Sequence, residues 1–132
     1  MILWRSIMKK DESKPLLKIE IIVNEVKMDI LMDALKKYHI TGMTISKVHG
    51  CGVQYGTPEY QDVDTSQINL LEKTMIMLVV PEDITDQLID HLSKDLYTGH
   101  IGDGKIFVTP VYNAYRIRTG ENGYQAIIPG DL

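Results

Sequence analysis

Leu-Leu-Lys-Ile-Glu-Ile-Ile-Val, residues 16–23, is the stretch of this chain that indicates its fold most directly. It is rich in β-branched residues, and its apolar side chains alternate around Lys18 and Glu20, a pattern that predicts a strand. A turn follows at Asn24-Glu25-Val26. From Lys27 to Tyr38 apolar residues recur at helical spacing, which predicts an amphipathic helix. The predicted domain therefore begins with a strand followed by a helix.

The rest of the sequence predicts one more helix and four more strands. The helix begins at Pro81-Glu82-Asp83, where acidic residues suit the helix dipole, and Gly99 is well placed to end it. The order strand, helix, strand, strand, helix, strand predicts an α+β fold, the ferredoxin-like βαββαβ arrangement with two helices on one face of a four-stranded antiparallel sheet. The further strands are Met43–Val48, Lys73–Val80, Lys105–Tyr112 and a short fifth one, Tyr115–Arg118.

The segment Thr98–Lys105 is a glycine-rich turn that ends in a lysine, and Arg116 and Arg118 follow a short way downstream. Glycines let backbone amides turn inward, and on a strand two arginines one residue apart would point the same way. These features fit the binding of a polyphosphate. The alternative is an ordinary glycine-rich connection from a helix to a strand, a common feature without a ligand.

The same segment nearly matches the phosphate-binding P-loop signature, since four residues separate Gly99 from Gly104-Lys105. Ile106 stands where a Ser or Thr should follow. A P-loop also runs from a strand into a helix, whereas here a helical pattern leads in and a strand leads out. The sequence therefore excludes a true P-loop.

Composition places limits on the domain organisation and on the partners. A chain of 132 residues with 44% hydrophobic and 24% charged residues fits one soluble domain. Its net charge of -4 argues against a nucleic-acid surface, and the single Cys51 suits a reducing cytoplasm. No apolar run is long enough to insert into a membrane, and no signal peptide is evident. We expect a flexible extension over residues 1–15 and one domain over 16–132.

From Lys18 to Ile127 the chain resembles the PII nitrogen-regulatory signal-transduction proteins. The resemblance implies a homotrimer with three nucleotide sites in the clefts between subunits, where ATP and ADP compete. It also implies a T-loop (about residues 52–71) that docks onto targets, a B-loop (about 98–105) and a C-terminal segment (about 115–132). The matching stretches occur in the expected order without insertion: Ile40–Thr44, Gly50–Gln54, Val79–Ile84, Thr98–Phe107 and Arg116–Gly120.

The resemblance also assigns roles by position. The phosphates would be held by the B-loop and by two arginines: Gly102, Asp103, Gly104, Lys105, Arg116 and Arg118. The base and ribose would be lined by Thr44, Gly50, Cys51, Gly52, Val53 and Val79. Gln54 matches a glutamine that helps to hold Mg²⁺ and 2-oxoglutarate, and Lys73 matches a lysine that pairs with the carboxylate of that acid.

The sequence departs from the family pattern near the effector site and in the T-loop. Asn24 replaces a basic residue and His100 a B-loop lysine, so the resemblance leaves 2-oxoglutarate binding open. Asp62 and Ser66 stand where ammonium-channel-binding members carry an arginine and a modifiable tyrosine. We therefore expect a different partner, such as another transporter, its ATPase subunit, or a metabolic enzyme.

Two functions of different class fit these features. The first is a non-catalytic adenine-nucleotide sensor that regulates its partner by binding. The second is an ATP-hydrolysing enzyme that uses the same cleft between subunits. The sequence favours the sensor, because no clear general base accompanies the B-loop and Asp103 lies in a glycine turn where a structural role is expected. A trimer that has lost nucleotide binding is disfavoured by the intact Lys105, Arg116 and Arg118.

Overall fold

The computed structural model of the chain describes residues 14–40, 42–51 and 70–129. Within them lies one antiparallel sheet of four strands in the order β2-β3-β1-β4. The first strand has the residues predicted for it, β1 (Leu16–Val23), and it pairs with β3 and β4 on its two sides. The other strands are β2 (Thr44–Gly50), β3 (Leu71–Pro81) and β4 (Lys105–Val111).

Two long helices complete the predicted architecture. Helix α1 (Met28–Lys37) follows a 3-10 turn at Glu25–Lys27, and α2 (Glu82–Leu96) joins β3 to β4. A short helix that was not predicted, α3 (Tyr124–Ile127), lies near the end of the described chain. This element order confirms the ferredoxin-like α+β fold. None of these helices is both long and apolar enough to cross a membrane.

The two faces of the sheet differ in burial. The helices cover one face, and the core between them is formed by Ile19, Ile21, Val23, Ile76, Leu78 and Val80 of the sheet with Leu31, Ala34, Leu35, Leu88, Leu92 and Leu96 of the helices. On the other face Glu20 is paired with Met77 and Phe107, and Ile22 with Met75 and Lys105. Phe107 is 50% exposed there. We call this second surface the open sheet face.

The prediction of a fifth strand at Tyr115–Arg118 is wrong. Tyr115 forms only an isolated bridge with Asn122, because the chain reverses between them. The Arg116 amide donates to the Glu121 carbonyl at 2.8 Å, and the Gly120 amide donates to the Arg116 carbonyl at 2.8 Å. Gly120 supplies the positive φ of 73° within this reversal. The two arginines are therefore not side by side on a strand.

Several element boundaries also differ from the predictions. Helix α2 ends at Leu96, before Gly99, because Tyr97 already has an extended backbone with a ψ of 128°. Strand β2 continues through Gly50, two residues past the predicted end at Val48. Its pairing with Leu71 extends the ladder between β2 and β3 by two residues beyond Val48.

The described end of the predicted N-terminal extension contacts the domain. The Pro15 carbonyl accepts a hydrogen bond of 2.9 Å from the Glu82 amide at the start of α2. The Lys14 ammonium lies 3.5 Å from the Asp83 carboxylate and 4.3 Å from the centre of the Tyr124 ring. These contacts anchor the chain just ahead of β1. Residues 1–13 of the predicted extension lie outside the described ranges.

Gly104 lies where the B-loop enters β4, and its position admits no side chain. Its φ is 115°, and an added Cβ would lie 2.5 Å from the Ile22 carbonyl oxygen and 2.9 Å from Cγ1 of Val23. Gly42 offers a contrast, because a Cβ there would meet no atom within 4 Å. The close approach of the B-loop to β1 therefore depends on Gly104.

We expect Gly104→Ala to lower the free energy of unfolding by about 2 kcal/mol or more, because it adds backbone strain to a steric clash. Gly42→Ala is the matched control, and it should change the free energy of unfolding by less than about 1 kcal/mol. Urea unfolding followed by circular dichroism measures both. Equal midpoints for Gly104→Ala and the parent protein would contradict the packing described for Gly104.

Candidate anion-binding site

The B-loop connects the end of α2 to the start of β4 and turns at three glycines. Gly99, Gly102 and Gly104 have φ values of 82°, 97° and 115°, a region that other residues rarely adopt. A helix leads into the loop and a strand leads out of it, as the sequence predicted. The loop is thus a compact glycine turn of a kind different from a P-loop.

The Asp103 carboxylate holds the loop together from inside. It accepts hydrogen bonds from the Thr98 amide at 2.8 Å, the Gly99 amide at 3.0 Å and the Thr98 hydroxyl. The Lys27 ammonium approaches the same carboxylate at 2.9 Å. The Thr98 hydroxyl, the Lys27 ammonium and the two amides lower the pKa of Asp103 well below its usual range. This arrangement matches the structural turn role expected for Asp103, and its contact with phosphate stays a prediction.

Lys27 is a site residue that was not predicted from the sequence. It is only 8% exposed, and its ammonium donates to the Leu96 carbonyl at 2.9 Å as well as to the carbonyl and carboxylate of Asp103. One signal was available in the sequence. A cation at the N-terminal end of a helix is disfavoured by the helix dipole, so its presence there indicates a specific partner.

Lys105 begins β4 directly after the B-loop. It is paired with Ile22 of β1, so its side chain belongs to the open sheet face, and the residue is exposed. Within the described part of the chain the Lys105 ammonium makes no hydrogen bond or ion pair. The structure thus places an uncommitted ammonium beside the glycine turn, as an anion-binding role requires.

The two downstream arginines have different environments. The Arg116 guanidinium is 19% exposed, and it pairs with Glu121 at 2.8 Å and donates to the carbonyls of Ala126 and Ile128. Arg118 is exposed, and with Arg116 and Thr119 it lines a cleft of about 220 Å³. The Thr119 hydroxyl and the charges of both arginines lower the pKa of Glu121. The Arg116 guanidinium is therefore engaged within the subunit, whereas the Arg118 guanidinium is accessible.

The residues expected at the base and ribose lie away from the B-loop. Thr44 and Gly50 begin and end β2, Cys51 is exposed just beyond it, and Val79 is on β3. Because β2 and β4 are the two edges of the sheet, roughly 14 Å, or three strand spacings, separates them. The structure does not bring the two groups together within one subunit. Gly52, Val53 and Gln54 lie outside the described residues.

Lys73, the candidate effector contact, already has a partner. Its ammonium donates to the Asn24 side-chain oxygen at 2.6 Å. A Cβ added to Gly50 would lie 3.4 Å from Cγ of Lys73, which places this lysine next to the base of the long loop. Asn24 therefore has two effects. It removes a positive charge from the candidate effector site, and it accepts a hydrogen bond from Lys73, the lysine that remains there.

Comparisons with known proteins identify the family of this chain. The family model described as nitrogen regulatory protein P-II matches residues 16–121. The chain is 43% identical over 110 residues to nitrogen regulatory protein P-II 1 of Escherichia coli (strain K12), an alignment that covers 83% of this chain and 98% of the relative. It is 42% identical, with the same coverage, to nitrogen regulatory protein P-II of Synechocystis sp. (strain PCC 6803).

Solved structures give the same assignment. The structure of the B. subtilis GlnK-ATP complex superimposes with a TM-score of 0.72 at 35% identity and covers 88% of this chain and 99% of that one. Arabidopsis thaliana PII bound to citrate gives a TM-score of 0.68 at 34% identity and covers 86% and 92%. The chain therefore belongs to the P-II family of nitrogen regulatory proteins, which are non-catalytic signal-transduction regulators.

Proposed function

We propose that this protein is an adenine-nucleotide sensor in which ATP and ADP bind at the B-loop. The observation that carries the proposal is the glycine turn beside an uncommitted Lys105, in a fold that superimposes on the GlnK-ATP complex of B. subtilis. Loop amides and a lysine suit phosphate oxygens, and Arg118 adds an accessible guanidinium. Gly102 and Gly104 let the backbone approach the ligand. Arg116 would join the site through the N–H groups that its internal contacts leave free.

A homotrimer would complete this site. In one subunit the B-loop leads into β4 at one edge of the sheet, whereas Thr44 and Gly50, proposed for the base and ribose, are on β2 at the other edge and Val79 is on β3. The open sheet face carries apolar side chains that include Met75, Met77 and Phe107, and such a surface favours association. Closed rotational symmetry would place the β2 edge of one subunit against the B-loop of the next. We therefore propose three nucleotide sites, each between two subunits.

ATP hydrolysis is the weaker alternative. A hydrolase needs a group that can accept a proton from the attacking water. Asp103, the one carboxylate in the B-loop, already accepts hydrogen bonds from Thr98, Gly99 and Lys27, and these contacts lower its pKa. A carboxylate so stabilised in its charged form is a weak base. This supports binding without turnover.

The proposal extends to a cytoplasmic regulator that acts through its T-loop on a transporter, on the ATPase subunit of one, or on a metabolic enzyme. Bound ATP or ADP would shift the T-loop between conformations by its different affinity for each. Gln54 would contact Mg²⁺ when ATP is bound, and it would join Lys73 at 2-oxoglutarate. That acid would have to compete with Asn24 for the Lys73 ammonium. The acidic T-loop residues and Ser66 lie outside the described chain, so the choice of partner stays a prediction.

We expect Lys105→Ala and Arg118→Ala each to weaken ATP binding by about 1.5–3 kcal/mol, through loss of a charge-assisted contact to phosphate. Titration calorimetry with ATP and with ADP measures this effect. Lys94→Ala is the matched control, because Lys94 is exposed on α2 and, among the residues that the structure describes, pairs only with its helix neighbour Asp90. Arg116→Ala is less informative, since it also breaks the contacts with Glu121.

Unchanged ATP affinity in both Lys105→Ala and Arg118→Ala would contradict the assigned phosphate contacts. The parent protein should hydrolyse ATP at a rate far below about one per second, which is the lower range for ordinary enzymes. A faster turnover in purified protein would favour the hydrolase. Repeating the titrations with 2-oxoglutarate present tests whether this acid changes the affinity for nucleotides.

The trimer predicts a specific effect of charge on the open sheet face. Phe107→Glu should convert a particle of three 15.0 kDa chains into single chains, because a buried unpaired carboxylate is costly. Ile30→Glu, at a helix position of similar exposure, 46% against 50%, should leave the assembly intact. Light scattering coupled to gel filtration measures both masses. A monomeric parent protein would refute the proposed assembly.

A further inference from the structure

The buried ammonium of Lys27 connects three parts of the fold that are distant in sequence. Lys27 stands at the start of α1, and it contacts the Leu96 carbonyl in the last turn of α2 and Asp103 in the B-loop. All three contacts are 2.9–3.0 Å long, and the residue is 8% exposed. A charge is buried at this depth only where acceptors replace its lost hydration. The contacts are therefore specific.

The geometry of Lys27 separates it from the residues proposed to bind phosphate. An ammonium has three N–H donors, and here three acceptors are present: two carbonyl oxygens and one carboxylate oxygen. No donor is left for a ligand. Lys27 can therefore act on a bound nucleotide only through the groups that it holds in place.

Those groups form a continuous path to the anion site. Lys27 holds Asp103, and Asp103 in turn holds the amides of Thr98 and Gly99. Three glycines with positive φ lie in the same loop, and such a loop has many alternative conformations when it is not restrained. Gly104 and Lys105 follow Asp103 directly. Lys105 itself is held by its pairing with Ile22, so the part of the site that depends on Lys27 is the conformation of the loop that leads into Lys105.

We propose that Lys27 is a positioning residue, which fixes the B-loop in the conformation that binds the phosphates of a nucleotide. The inference deepens the proposed nucleotide function and rests on it. Without Lys27 the Leu96 carbonyl and the Asp103 carboxylate lose a shared donor, and the end of α2 is no longer tied to the loop. Binding would then have to order the loop, and the affinity would fall accordingly.

The experiment compares Lys27→Met with Lys94→Met, which removes an ammonium from an exposed ion pair on α2. Titration calorimetry with ATP, ADP and adenosine is done at a temperature where both variants are fully folded. We expect Lys27→Met to weaken ATP and ADP about tenfold or more and adenosine less than about twofold. The control should match the parent protein. A purely structural role for Lys27 would lower the melting temperature without this dependence on phosphate.

Hydrogen exchange gives a readout that needs no nucleotide. The amides of Thr98 and Gly99 should exchange faster in Lys27→Met than in the parent protein, because the Asp103 carboxylate that accepts from them is less restrained. Lys27→Gln is the second variant, and it tests the positioning role if Lys27→Met fails to fold. A glutamine retains neutral donors on a shorter side chain, so its ATP affinity should lie between those of the parent protein and Lys27→Met.

The outcomes separate this inference from the proposed function. If the parent protein binds ATP and both folded Lys27 variants bind it equally well, the positioning role is refuted and the sensor proposal stands. If the variants lose adenosine as much as ATP, the positioning role is likewise refuted, since the effect is then not on the phosphate loop. A parent protein that binds neither ATP nor ADP would overturn the proposed function and this inference together.

Discussion

The contact between the Lys27 ammonium and Asp103 is the interaction on which the site most depends. Burying a lysine costs free energy that only well-placed acceptors can offset, and the fold supplies three of them from two elements. The end of α2 and the B-loop are therefore fixed relative to α1. Gly104 completes the arrangement, because without a side chain it lets the loop pass against the Ile22 carbonyl. Electrostatics and close packing thus set the shape of one glycine-rich loop.

The second constraint is that the sheet has one covered face and one open face. Alternation in β1 and β3 sends Ile19, Ile21 and Ile76 toward the helices and leaves Glu20 and Met77 on the other side. Lys105 shares that open face, whereas the proposed base and ribose residues lie toward the opposite edge. A single subunit therefore holds both halves of the candidate site without joining them. Association through the open face would cover its apolar side chains and would also bring the two halves of the proposed site together, which is a physical reason for a regulator of this shape to be oligomeric.

The fold could be predicted from the sequence wherever the pattern was local. The alternation in Leu16–Val23 and the helical spacing after Lys27 fix their elements almost to the residue. The predicted strand at Tyr115–Arg118 does not form. Four alternating residues are too few to outweigh the chain reversal at Gly120, whose amide donates a hydrogen bond to the Arg116 carbonyl. Lys27 was missed for a different reason. Its partners are 69 and 76 residues away, and no local pattern encodes contacts over that distance.

The charged residues near the loops show which features of the site could be predicted from the sequence and which could not. Composition identifies the cations but not their partners, and three of them are already engaged: Lys27 with Asp103, Lys73 with Asn24 and Arg116 with Glu121. Lys105 and Arg118 are the accessible ones among the described candidates. A phosphate ligand would therefore gain directly from few cations and would draw the remaining affinity from backbone amides held in place. In such a site, the cations that shape the loops matter as much as those that touch the ligand, because pre-organisation lowers the cost of ordering the loop on binding.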